Sequence, residues 1–214
     1  MQINYFDFGV HKGDEIQMFL ESLKHIHGLY VNVYGFEAHP DLASQASSRY
    51  SECDNIRIIN KAIAYENSKV NLYIAEGNKM EGNSIFPTKN NVDPHNYVEV
   101  DGILFSDWLA ENVPDYKNSI NVIRFNIEGA EIHLFDDIIN NGINEYIDLF
   151  LGSSGGEDIL KCSEISHLHS KHEEKLAENG ITVHQFCAAS VNNISSQRIR
   201  DILIISKTYN EDKF

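Results

Sequence analysis

The sequence predicts an α/β domain with a mostly parallel central sheet and helices on both faces. Short apolar runs alternate with helical patterns from the N-terminus to about residue 186. The first run ends in an acid and two glycines before a helix, in Tyr5-Phe-Asp-Phe-Gly-Val-His-Lys-Gly-Asp14. Polar residues (Glu37, Lys61 and Asn126-Ile-Glu128) fall at the ends of expected strands, the edge where ligands bind in such sheets.

In chain order, the run from Ile3 is the first strand, and a helix follows from Asp14 to about His27. Leu29–Phe36 is a second strand, and His39-Pro-Asp41 opens a helix to about Tyr50, with Pro and Asp suited to a first turn. Asn55–Asn60 is a third strand, and Lys69–Ala75 alternates like an exposed one. Glu76–Asn96 is long and polar, and is expected to be an acceptor lid. Tyr97–Phe105 is strand-like, Ser106-Asp107 caps a short helix, and Val122–Ile127 is a core strand. Gly129 breaks the chain before a helix over 130–140, closed by Asn141-Gly142. Tyr146–Leu151 is the next strand, and Ser153-Ser-Gly-Gly156 is expected on the rim of a ligand site. A polar helical region covers about 159–178, and Ile181–Phe186 is a strand. Ile199–Ser206 is expected as a last strand, antiparallel to its neighbour because the preceding link is too short for a crossover helix.

The 214 residues suit one domain over 1–214 with a full core; no repeat or linker divides it. The 17 basic and 32 acidic residues give a net charge of −15, which argues against nucleic acid and anionic membranes as partners. Three widely spaced cysteines suggest neither a disulfide framework nor a zinc cluster. No apolar run approaches the roughly 20 residues of a membrane helix. The first residues enter a strand directly, so a cytoplasmic location is expected.

Strand, glycine turn and helix together offer backbone N–H groups to a ligand. The spacing Asp7, Gly9, Gly13 is D-x-G-x-x-x-G, and Asp14-Glu15 at the helix start would repel a pyrophosphate. A cationic group suits it better, and with Glu37 after the second strand this points to S-adenosylmethionine rather than NAD. Gly9 and Gly13 would admit the cofactor backbone-close, Asp7 would meet its α-amino end, and Glu37 would accept from the ribose hydroxyls. At the second cluster, Arg124-Phe-Asn-Ile-Glu-Gly-Ala-Glu131, alternation places Asn126 and Glu128 on one side with Arg124, while Glu131 reads as a first-turn helix cap.

The sequence DFGVHKGD, then VYGFEAHP, then IRFNIEGAE resembles the FkbM family of S-adenosylmethionine-dependent methyltransferases, from about Ile3 to Leu151. The family forms are D-x-G-A-N-x-G, F-E-P-x-P and K-x-D-x-E-G-A-E. The resemblance implies a Rossmann-like class I methyltransferase fold and O-methylation of a hydroxyl on a sugar, glycolipid or other small molecule. It carries cofactor contact onto Asp7, Gly9, Gly13 and Glu37, and adenine proximity onto Ala38, Lys61 and Ala62. Val10-His11 replaces Ala-Asn, Ala38-His39 replaces Pro-x, Arg124 replaces Lys and Asn126 replaces Asp. An Asn cannot take a proton, which makes Glu128 the better candidate base, with Asn126 positioning and His11, His95 and His133 as further candidates.

His169, His172 and Glu173 could be drawn together on a helix, although a solvated face explains them as well. No metal site is expected, and a homo-oligomer is compatible with the sequence. The rival readings are an NAD-dependent oxidoreductase and a non-catalytic protein that keeps the fold or its cofactor pocket.

Overall fold

The alternating runs form, in the computed structural model, a six-stranded sheet in which every pairing is parallel. The structure describes residues 2–24, 26–77, 81–152, 157–190 and 192–211. The chain runs β1 (Gln2–Phe8), α1 (Asp14–Leu23), β2 (Tyr30–Phe36), α2 (Pro40–Arg49), β3 (Ile56–Ile59), β4 (Ala62–Ile63), β5 (Lys69–Ala75) and β6 (Val92–Ile103). It continues through α3 (Phe105–Asn112), β7 (Ile120–Phe125), α4 (Glu131–Asn140), β8 (Leu149–Gly152), α5 (Glu157–Leu160), α6 (His169–Glu178), β9 (Val183–Gln185) and α7 (Ser196–Glu211). The main sheet is ordered β3-β2-β1-β7-β8-β9, and a smaller sheet is ordered β4-β6-β5.

Each face of the main sheet carries its own apolar layer, as period-two alternation requires of a doubly covered sheet. Ile3 and Tyr5 of β1 pack with Ile16 and Phe19 of α1 and Ile199 and Leu203 of α7. Phe6 and Phe8 pack on the other face with Phe105 and Trp108 of α3 and Leu134 and Phe135 of α4. Tyr5 stacks on Phe19 with ring centroids 4.0 Å apart, and Phe8 meets Phe105 edge-on at 5.0 Å.

The segment expected as an antiparallel last strand, Ile199–Ser206, is instead the middle of α7. Ile199 and Leu203 are fully buried four residues apart, the spacing of one helix face. Ser195 caps the helix by accepting from the Arg198 N–H at 3.2 Å, and Arg200 ties it to α1 by donating to the Ser22 carbonyl at 2.8 Å. The run of β-branched residues suggested a strand, but the cap and the buried pair decide for a helix. Antiparallel pairing occurs in the smaller sheet, between β5 and β6. The polar segment after β5 is also shorter than expected, because β6 already begins at Val92. The Ser153–Gly156 turn lies outside the described residues. Among the described residues no helix is long and apolar enough to cross a membrane.

The strand order reverses direction at β1, between β2 and β7. There the backbones come unusually close. Gly9 has φ +86, and a Cβ on it would run into the Asn126 carbonyl oxygen. Gly28 also has a positive φ, of +76, but nothing lies within 4 Å of its missing Cβ. Gly28→Ala should therefore cost only the left-handed penalty of about 1–2 kcal/mol, and Gly9→Ala clearly more. Urea denaturation of the two variants would measure the difference, and equal costs would refute the close approach.

Candidate functional site

A cavity of about 440 Å³ opens at the carboxyl ends of β1, β2 and β7. That is the switch point of the sheet and within the usual size of a small-ligand site. Its walls come from the β1–α1 turn, the end of β2, the start of β4, the β7–α4 turn, the segment before β6 and the link from β9 to α7.

At the first wall, the Glu37 carboxylate accepts from the His11 N–H at 2.8 Å and from the His39 N–H at 2.9 Å. One acid thus holds the turn after β1 and the turn after β2 together. Burial raises its pKa, opposed by these two N–H donors. The Asn60 amide donates to the Glu37 and Ala38 carbonyls at 2.9 Å, which fixes the neighbouring backbone. His11 has φ 51, uncommon for a residue with a Cβ, and its Nε2 is buried without a hydrogen-bond partner. Strained backbone and an unsatisfied buried polar atom thus coincide at a residue that lines the cavity.

Beneath the turn lies a buried cation. Arg124 on β7 is 1% exposed and donates from Nη1 to Asp7 at 3.0 Å and to the Gly9 carbonyl at 2.8 Å. Its Nη2 is 3.2 Å from Glu15, which in turn accepts from the Ala188 N–H at 3.0 Å. Burial pushes the Asp7 carboxyl up to about 6 while the guanidinium pulls it the other way.

At the β7 end, Glu128 has φ 58 and a half-buried side chain. Its carboxylate lies 2.7 Å from the buried Lys89 ammonium, and its carbonyl accepts from the Ser84 hydroxyl at 2.7 Å. Glu131 closes the turn by accepting from the Ile127 N–H at 3.0 Å and the Gly129 N–H at 2.7 Å. Burial pushes that carboxyl up to about 7.

Residues 7–185 match the family model described as the methyltransferase FkbM domain. The chain belongs to the FkbM methyltransferase family. No curated protein matches it. Among solved structures it is similar to the crystal structure of methyltransferase FkbM from Methylobacillus flagellatus KT, at 13% identity and a TM-score of 0.42. That likeness takes in 66% of this chain and 30% of the other, so the chain matches under a third of that relative's length.

In this FkbM-family chain Gly9, His11, Glu37, Ala38, Lys61, Ala62, Asn126 and Glu128 share the wall of one cavity. Asp7 and Gly13 do not reach it. Asp7 is fully buried under the turn, where its role is to balance Arg124. Gly13 is the N-cap of α1 and packs on Tyr50, whose hydroxyl donates to its carbonyl at 2.6 Å. Glu131 lies in the first turn of α4 as expected, but its carboxylate binds N–H groups of the preceding turn rather than capping the helix. Of the other histidines, His95 is exposed on β6, and His133 lies between Tyr65 and Phe86 with burial lowering its pKa. His169 lies 3.6 Å from Glu173, while His172 is turned inward against Phe135. Sequence reasoning missed Lys89, the Glu15–Arg124 contact and the Cys187–Ala189 wall; only the Arg in place of Lys at 124 hinted at any of them.

Two outcomes follow for the buried acids. Arg124→Met strands Asp7 without its counter-charge and should cost about 3–5 kcal/mol, while Arg124→Met with Asp7→Asn should cost less than the sum of the single changes. Additive costs in urea denaturation would refute the pairing. For Glu131, a folded pKa near 7 against 4.5 for the free group means that the folded state holds the proton more tightly. The stability of the wild type relative to Glu131→Gln should therefore fall as pH rises from about 4.5 to about 7 and level off above that. Denaturation midpoints across that window would show it, and a flat difference would contradict it.

Proposed function

We propose that this FkbM-family methyltransferase uses S-adenosylmethionine and methylates a hydroxyl oxygen on a sugar, glycolipid or other small molecule. The observation that carries the reading is Glu37, an acid held by two backbone N–H groups on the wall of the switch-point cavity. The cavity residues fit the cofactor. Glu37 suits the ribose hydroxyls, because a carboxylate has lone pairs beyond the two already used. Ala38, Lys61 and Ala62 would flank the adenine, and the Gly9–His11 turn would receive the methionine end, where His11 Nε2 has no protein partner. Asp14 and Glu15 also line the cavity, which is unfavourable to the pyrophosphate of NAD.

The cofactor supplies a methyl carbon activated by its positive sulfur. The protein's share is alignment, which effective-molarity arguments show can supply much of the barrier reduction. Asn126 and Glu128, which line the cavity just past the end of β7, would hold the acceptor hydroxyl, and Glu128 or His11 would take its proton. Residues 81–85, whose Glu81, Gly82, Asn83 and Ile85 line the cavity, would form the acceptor side.

Calorimetry with S-adenosylhomocysteine tests the cofactor assignment. Loss of a charged hydrogen-bonding group costs about 1.5–3 kcal/mol, so Glu37→Ala should weaken binding by roughly 10- to 100-fold. Circular dichroism would establish that the variant is folded, and an unchanged affinity in folded protein would overturn the ribose role.

A further inference from the structure

Lys89 is 4% exposed, in a polar stretch where a lysine would ordinarily reach into solvent. Burying an ammonium is costly unless its three protons find acceptors. Here they do: Nζ donates to the Gly82 carbonyl at 3.0 Å and Asn91 Oδ1 at 2.6 Å, and lies 2.7 Å from Glu128 Oε2. The first two partners belong to its own segment. The third belongs to the β7–α4 turn, lies on the cavity wall and keeps its side chain 20% exposed. Other contacts bind the same two segments: Ser84 donates to the Glu128 carbonyl, and Phe86 packs where a Cβ on Gly129 would be. The left-handed backbone at Glu128 would aim its side chain elsewhere in a relaxed turn, so something must hold both backbone and carboxylate.

We infer that Lys89 is a positioning residue: its buried ammonium aims the Glu128 carboxylate into the cavity and sets the 81–91 segment as the acceptor-side wall. The word acceptor rests on the methyl-transfer reading above; the coupling of Lys89 to Glu128 does not. In this arrangement one side chain governs both the direction of the carboxylate that orients the hydroxyl and the shape of the acceptor-side wall. Arginine at 89 would keep the charge and much of the reach, whereas methionine would keep the volume and lose the charge.

The experiment uses the full chain with Lys89→Met, Lys89→Arg and Glu128→Gln. In proton–nitrogen spectra of lysine ammonium groups, a slowly exchanging signal should vanish in Lys89→Arg, which assigns it. The same signal should shift or broaden in Glu128→Gln; if it stays put, the two residues are not coupled and the proposal fails. Affinity for S-adenosylhomocysteine should change less than about threefold in Lys89→Met. Labelled-methyl transfer to a panel of hydroxylated glycans should fall by about 100-fold in kcat, the scale of a misplaced reacting group, and return to within about tenfold of wild type in Lys89→Arg. Turnover that survives in Lys89→Met, or that Lys89→Arg does not restore, overturns the positioning role. Should Lys89→Met not fold, Lys89→Arg and Glu128→Gln decide the matter by the spectra alone. If the wild type binds no S-adenosylhomocysteine, the cofactor reading fails while the ammonium spectra still judge the pair.

Discussion

The turn after β1 depends on one buried guanidinium. Arg124 draws together three separate elements: Asp7 from β1, the Gly9 carbonyl from the turn and Glu15 from the first turn of α1. Without the cation, two carboxylates would lie close together in a poorly solvated space, and even with it burial holds Asp7 up at about 6. A guanidinium suits the task because its planar fork presents donors in several fixed directions and is weakly hydrated, so it tolerates burial better than an ammonium. Glu15 extends the network outward to the Ala188 N–H, and so ties the link between β9 and α7 to the same centre.

Above that centre, the sheet converts proximity into a site. Parallel pairing of β1 with both β2 and β7 brings the turns after all three strands to one edge. Gly9 lets the first turn lie directly against the Asn126 carbonyl, and Glu37 fastens it to the second turn through two N–H groups. Among the described residues the strain is concentrated in two with side chains and positive φ, His11 and Glu128, both on the cavity wall. Such strain persists because dense local bonding over-determines it. At Glu128 that bonding is the Ser84 hydroxyl, the Lys89 ammonium and the Glu131 carboxylate on the Gly129 N–H.

What the sequence revealed and what it hid follow the range of the interactions involved. The β1–turn–α1 unit, Glu37 at a strand end and the Asn126–Glu128 cluster were legible because alternation, glycine chemistry and strand-end polarity are local signals. The match of residues 7–185 to the family bears out the resemblance drawn from three ordered motifs. Asp7 was assigned to the ligand because a strand-end acid and a buried counter-ion look alike until the partner, 117 residues away, is known. Lys89 was indistinguishable from a surface lysine, since its partner Glu128 lies on another segment, 39 residues further along the chain. Residues 199–206 misled because β-branched content resembles a strand, and only the Ser195 cap and the packing of Ile199 and Leu203 against α1 favour a helix.

The same electrostatics bear on Asn126, which stands where the family form has Asp. Arg124 carries one positive charge and already faces two acids, so the cluster under the turn is net negative. Alternation along β7 puts residue 126 on the side of Arg124, and the cavity it lines also holds Glu37 and Glu128. A further carboxylate there would add repulsion to a wall that already sets Asp14, Glu15, Glu37, Glu81 and Glu128 against Lys12, Lys61 and Arg124. An amide keeps both a donor and an acceptor at that position without the charge. Asn126 thus presents a neutral donor and acceptor on a cavity wall that already carries Glu37 and Glu128.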